Sequence, residues 1–238
     1  MNDILSILAA AAGGLLPALA WLWFWLREDS KNPEPRKLIA LAFLAGMISV
    51  AIAVPVELGI KQFLEAGFLG AWFASSVVVY SIWSAVEELV KYGMAYLTVL
   101  HRREDDEPID PVIYMVTVAL GFAGAENVLF LLSPLAGGNA AQIIATGDLR
   151  FVGATLLHVL SSALIGVALG LTFYASRKVH YTAGLVGTFL AMGLHMVFNY
   201  LILNTPPEYV LRTFSYVWLG VIALLAILEY IKRIHPRR

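Results

Sequence analysis

Residues 71–100 read AWFASSVVVYSIWSAVEELVKYGMAYLTVL, a run long enough to cross a bilayer that nevertheless carries Glu87, Glu88 and Lys91. A spanning helix needs about 20 apolar residues to cover the roughly 30 Å hydrocarbon layer. A charge at the centre of such a helix costs about 2.5–3.5 kcal/mol of insertion energy unless it faces protein. The three groups are therefore expected to face a protein interior, and ionisable groups at that depth are candidates for function. They have company, because Glu126, His158 and His195 each lie inside another apolar segment.

The rest of the chain agrees with a membrane setting. It has 238 residues, 60% hydrophobic and 14% charged, with a mean hydropathy of +0.77. A soluble domain averages about 25% charged residues, so the composition predicts an all-α, polytopic membrane helical bundle. Cysteine is absent, which excludes disulfides, thiolate metal sites and a Cys nucleophile. A net charge of −1 without a basic tract gives no reason to expect a nucleic-acid partner. The first apolar run, Ile4–Leu26, lacks a basic flank and is too long for a signal sequence, so it predicts a retained helix.

Seven membrane-length segments are expected at roughly 4–26, 38–56, 71–100, 112–133, 151–174, 181–203 and 212–231, forming one integral-membrane domain over 1–238. The pieces between them, such as ELGIKQFLEAG and HRREDDEPIDP, read as connections, with an interfacial turn near Gly67–Gly70. Trp21, Trp23, Trp25, Trp72, Trp218 and Tyr230 fit an interfacial aromatic belt. Twelve Lys and Arg residues (Arg27, Lys31, Arg36, Lys37, Arg102, Arg103, Arg177, Lys178, Lys232, Arg233, Arg237 and Arg238) fall on one side, against Lys61, Arg150 and Arg212 on the other. The positive-inside rule makes the twelve-residue side cytoplasmic, with the N-terminus outside the cell membrane.

Depth draws the buried polar groups together. Glu87 lies 14 residues before His101, Glu126 lies 15 after Pro111, and His195 lies 15 after His180. At about 1.5 Å per residue each sits roughly 21–23 Å from its cytoplasmic end, and His158 sits about 28 Å up. Glu87 and Glu88 precede Lys91 by four and three residues, so one ammonium can pair with either carboxylate. An ionised and a neutral carboxyl side by side suit general acid–base work on water, while a purely structural ion pair is the plainer alternative. Glu126 stands in GFAGAEN, where small residues permit close helix approach. It is a second base, a metal ligand or a carboxyl bonded across helices. His195 and Asn199 share a helix face as oxyanion donors, or His195 binds a metal, and His158 leads Ser161 and Ser162 on a polar face.

In this order and spacing, NPEPRKL, EELVK, DEPIDPVIY leading into GFAGAEN, LLH at His158 and HMVFN at His195–Asn199 resemble the PrsW family of intramembrane proteases. That family belongs to a superfamily including the CAAX prenyl endopeptidases and the bacterial CPBP/Abi proteins. The resemblance covers about residues 27–200 and implies a peptidase that cuts a single-pass membrane protein, such as a membrane-anchored anti-sigma factor, in or near the bilayer. It also implies catalytic roles for Glu87, Glu88, Lys91, Glu126, His195 and Asn199. The CAAX branch has His where this chain has Glu126, and an E-E-x-x-x-R pattern where this chain has Lys91, which leaves the roles of those two open.

Two mechanisms are compatible with these residues. In one, Glu126, His158 and His195, with Glu88 as a fourth candidate, hold a divalent metal such as zinc, and Glu87 deprotonates its water. In the other, Glu87 aided by Glu126 activates water directly, while His195 and Asn199 stabilise the oxyanion. Buried carboxylates and histidines also suit a proton-coupled transporter or channel, although no inverted repeat is visible. A non-catalytic protein that binds transmembrane helices is a third class.

Overall fold

The computed structural model describes residues 3–29, 32–66, 75–136, 153–204, 206 and 209–235. Seven helices, and no strand, are found among the described residues: α1 (Asp3–Trp25), α2 (Arg36–Glu65), α3 (Ser76–Thr98), α4 (Asp110–Ala136), α5 (Thr155–Leu171), α6 (Arg177–Asn204) and α7 (Val210–Ile231). The chain is a multi-pass membrane helical bundle. Five of the helices are long and apolar enough to cross a membrane. Of the other two, α5 has only 17 residues, and every membrane-length stretch of α3 contains Glu87, Glu88 and Lys91.

Helix α4 is the pillar. Its sequence is apolar on all sides, which suits a helix enclosed over most of its length; every residue from 108 to 124 is buried, and toward its C-terminal end Leu129 and Phe130 face outward. Helices α1, α2 and α5 pack directly on it, while α3 bridges α2 and α6, and α7 closes against α5. The α2–α4 crossing depends on paired glycines. A Cβ at Gly46 would fall 2.0 Å from the Val118 carbonyl oxygen, and one at Gly121 would fall 2.0 Å from that of Phe43. Only residues without a Cβ let these backbones meet, and the contact fixes the axial register of α4 just below Phe122 and Glu126.

Helix α3 turns its polar face inward. Ser84, Glu87, Glu88, Lys91 and Ala95 are buried, while Leu89, Tyr96 and Leu97 are exposed. The same inversion covers the outer surface, where Ile4, Leu44, Ile48, Phe189, Leu211 and Ile222 face outward as lipid would require.

Three expectations change. Residues 57–65, expected as a connection, continue α2 through Glu65, and α6 begins at Arg177 rather than 181. In both cases polar residues extend an amphipathic helix past the apolar span. Trp25 does not join an aromatic belt; it is 1% exposed and packed in the main core against α4 residues. The turn near Gly67–Gly70 and Trp72 lie outside the described residues.

Candidate active site in the membrane interior

Four helices deliver six ionisable side chains to one point. Helix α3 contributes Glu87, Glu88 and Lys91, α4 contributes Glu126, α5 contributes His158, and α6 contributes His195. Lys91 and Glu88 are fully buried, and His195 is 1% exposed. The shared level expected from residue counting along separate helices is thus matched by direct contact.

Glu88 is the anchor. Its Oε1 accepts a hydrogen bond from Lys91 Nζ at 2.5 Å and meets His195 Nδ1 at 2.8 Å. Its Oε2 accepts from the Ser162 hydroxyl at 2.7 Å. Three donors from three helices hold this carboxylate, which is what a buried charge requires. Lys91 Nζ stands 4.0 Å from Glu87 Oε2 and 3.3 Å from His158 Nδ1, over the Phe122 ring.

Glu87 is held quite differently. Its Oε2 is buried without a hydrogen-bond partner, 3.6 Å from His158 Nδ1 and 3.7 Å from His195 Nε2. The two imidazoles meet edge to face with ring centres 4.9 Å apart. Each has its far nitrogen against a carboxylate, His158 Nε2 on Glu126 Oε2 at 3.1 Å and His195 Nδ1 on Glu88 Oε1 at 2.8 Å. A carboxylate that accepts the far N–H leaves the lone pair on the near nitrogen. Both lone pairs then point toward the unpartnered oxygen of Glu87.

Glu87, His158 and His195 each offer one ligand atom, and these atoms lie within 4.8 Å of one another. Two imidazoles and one carboxylate are a common donor set for a catalytic divalent metal. The orphaned Glu87 oxygen is the observation that makes these residues fit such an ion. Glu126, expected among the ligands, lies behind His158 on its outer nitrogen. Asn199 reaches Ser84 at 3.4 Å, one turn of α3 before Glu88. Asn127 ties α4 to Thr155 at the start of α5 with a 3.1 Å bond.

Phe122, part of the GFAGAEN motif but given no role from the sequence, lies under the site with its ring centre 5.2 Å from that of His158. One neighbour escaped sequence reasoning. Glu57 on α2 is close enough for its charge to act on Glu126 and Glu87. Its place in a stretch expected to be a loop hid it.

Comparisons over most of the chain identify its family. A family described as "PrsW family intramembrane metalloprotease" matches residues 34–228. The chain is 29% identical over 194 residues to Protease PrsW of Geobacillus kaustophilus, covering 81% of this chain and 79% of that protein. It is 28% identical over 225 residues to Protease PrsW of Oceanobacillus iheyensis, covering 93% and 94%, and 29% identical to that of Bacillus subtilis over 71% and 68%. No solved structure is a significant match. With a family match over most of its length and a Glu–His cluster sealed inside the bundle, the chain belongs to the PrsW family of intramembrane metalloproteases.

Proposed function

We propose that this intramembrane peptidase hydrolyses a single-pass, membrane-anchored protein of the anti-sigma-factor kind, with residues 1–238 acting as one catalytic unit in the cell membrane. The Lys/Arg asymmetry supports an outside N-terminus and a cytoplasmic C-terminus, so the depth of the cluster favours a cut toward the outer leaflet. Reporter fusions at residues 104 and 140 should read inside and outside respectively; the reverse result would overturn the orientation.

The observation that carries the mechanism is the unpartnered, buried Oε2 of Glu87 facing two histidine nitrogens. In this reading Glu87, His158 and His195 hold a divalent ion such as zinc. When bound, that ion polarises the scissile carbonyl and lowers the pKa of water. Glu126 and Glu88 keep each histidine in the tautomer that presents its lone pair inward. Lys91 balances Glu88 and holds α3 against α5. Glu126 is half-buried, and it receives the proton from water and returns it to the leaving amine.

One observation favours a second reading. Lys91 Nζ, 3.3 Å from His158 Nδ1, is placed to donate into the lone pair that a metal would need. Glu87 would then act on water directly, without an ion. Metal analysis of purified, active protein decides between them. Metal in the wild type, lost in Glu87→Gln and retained in Glu126→Gln, supports Glu87 as a ligand. Loss in Glu126→Gln with retention in Glu87→Gln would make Glu126 the third ligand instead. Full peptidase activity without bound metal supports the glutamate mechanism.

A further inference from the structure

A second cluster of carboxylates lies at the Lys/Arg-rich end of the bundle, where the α1–α2 connection meets the α3–α4 connection. Asp29 and Glu34 come from the first, and Glu107 and Asp110 from the second. Asp29, Glu107 and Asp110 each offer one oxygen, all within 4.8 Å of one another. Asp29 is 4% exposed and Asp110 1%. Asp110 precedes Glu126 by 16 residues on α4, a rise of about 24 Å that separates this cluster from the catalytic one.

Internal hydrogen bonds do not use up these oxygens. Asp110 Oδ2 accepts from the backbone N–H groups of Asp106 and Glu107 at 2.9 and 2.6 Å, and Asp29 Oδ2 accepts from that of Glu34 at 3.0 Å. The Tyr114 hydroxyl donates to Glu34, and Asn32 donates to Glu107. Asp110 Oδ1 is nevertheless buried without a hydrogen-bond partner, and Asp105 Oδ1 is too. No Lys or Arg among the described residues forms an ion pair with Asp29, Glu34, Glu107 or Asp110. Lys232, whose charge reaches Asp29, is engaged by Glu28 at 2.8 Å and Glu229 at 2.7 Å. A pocket of about 310 Å³, lined by Asp29, Asn32 and Glu107 and also by Arg27, Lys232 and His235, opens beside Asp29 and Glu107.

We propose that Asp29, Glu107 and Asp110 hold a hard divalent cation, calcium or magnesium, that clamps the two connections together. The donors are all oxygen, with no imidazole or thiolate to favour zinc, which sets this site apart from the one in the membrane interior. Calcium–oxygen bonds of about 2.3–2.6 Å put ligands on opposite sides of the ion up to roughly 5 Å apart, in keeping with the separations here. The ion would take one oxygen from each of Asp29, Glu107 and Asp110 and bridge residues that lie far apart in the chain. The competing explanation is a proton shared between the facing carboxyls of Glu34 and Asp110.

The test uses the full-length, chelator-stripped protein in lipid nanodiscs, titrated separately with calcium and magnesium by calorimetry and with terbium as a luminescent probe. Saturable binding is expected in the wild type and in His195→Ala, and it should be abolished in Asp110→Asn. The half-buried Glu107 gives a milder variant; Glu107→Gln should fold normally by circular dichroism and bind the ion at least tenfold more weakly. Comparing the calcium and magnesium arms identifies the ion. The proposal is overturned if neither ion nor terbium binds the wild type saturably at millimolar concentration. It is equally overturned if Glu107→Gln binds as the wild type does, and the shared proton then accounts for the buried oxygens.

Discussion

In the membrane interior, three glutamates share their space with a lysine and two histidines; at the Lys/Arg-rich end, four carboxylates meet a tyrosine and an asparagine, with no base bonded to them among the described residues. The contrast follows from what each setting can import. A buried carboxylate in lipid needs partners from within the fold, and Glu88 has them in Lys91, His195 and Ser162. Near the interface a proton or a cation can be exchanged with solvent. Burial there pushes the Asp29 carboxyl up to about 6 and that of Asp105 up to about 7. One cluster is permanently compensated except at Glu87, whereas the other depends on what the surrounding solution supplies.

The contrast between the two clusters rests most heavily on Glu87, which carries the uncompensated oxygen in the interior. Glu87→Gln should lower the cleavage rate of a single-pass substrate in proteoliposomes by at least about 10²-fold, whether Glu87 holds the ion or acts on water directly, with the helical content unchanged. Persistence of the full rate would remove Glu87 from the chemistry altogether.

Next in size is the built-in cation. Lys91→Met leaves Glu88 buried without its ammonium and should cost about 3–5 kcal/mol, read as a fall in the unfolding midpoint. Adding Glu88→Gln to that variant should recover part of the loss. A double variant no more stable than Lys91→Met would show that the lysine serves another partner.

The interfacial cluster should respond to pH with the opposite sign from an ordinary salt-bridged acid. A carboxyl whose folded-state pKa is raised from 3.8 to about 7 binds its proton more tightly in the folded state. The stability it contributes is fully present below about pH 4 and is lost as pH rises through 7. Asp105→Asn should therefore raise the melting temperature by about 2–4 °C at pH 8, and leave it unchanged at pH 4. A rise of equal size at both pH values would point to a packing effect instead.

Glu57→Gln is expected to give the smallest change, less than tenfold in rate, because Glu57 acts on the cluster through charge and has no direct bond to it. A larger loss would extend the catalytic cluster onto α2.

The intramembrane site was legible because its residues are so costly there. Glu87, Glu88, Lys91, Glu126, His158 and His195 stand out in apolar segments, and the helical rise alone puts them near one depth. Spacing could not say which imidazole nitrogen faces which carboxylate. That depends on the rotation of α4, α5 and α6 about their axes, and it decides that Glu87 rather than Glu126 lies between the histidines. Glu57 was hidden because Glu57, Lys61 and Gln62 give α2 a polar extension that looks like a loop. The acidic cluster was hidden for another reason. Its members come from two connections some 75 residues apart, and nothing local in either records the other.

The buried charges of α3 also bear on how the protein is made. Helices leave the translocon roughly in chain order, and each is partitioned into lipid largely by its own hydropathy. Helix α3 brings its own Lys91–Glu88 pair, but it reaches the bilayer before α5 and α6 supply Ser162, His158 and His195, the other neighbours of Glu87 and Glu88. Its stable insertion must wait for them. The residues suited to hydrolysing a peptide bond thus make α3 a late-settling helix, held at the translocon or against α2 until the histidines emerge.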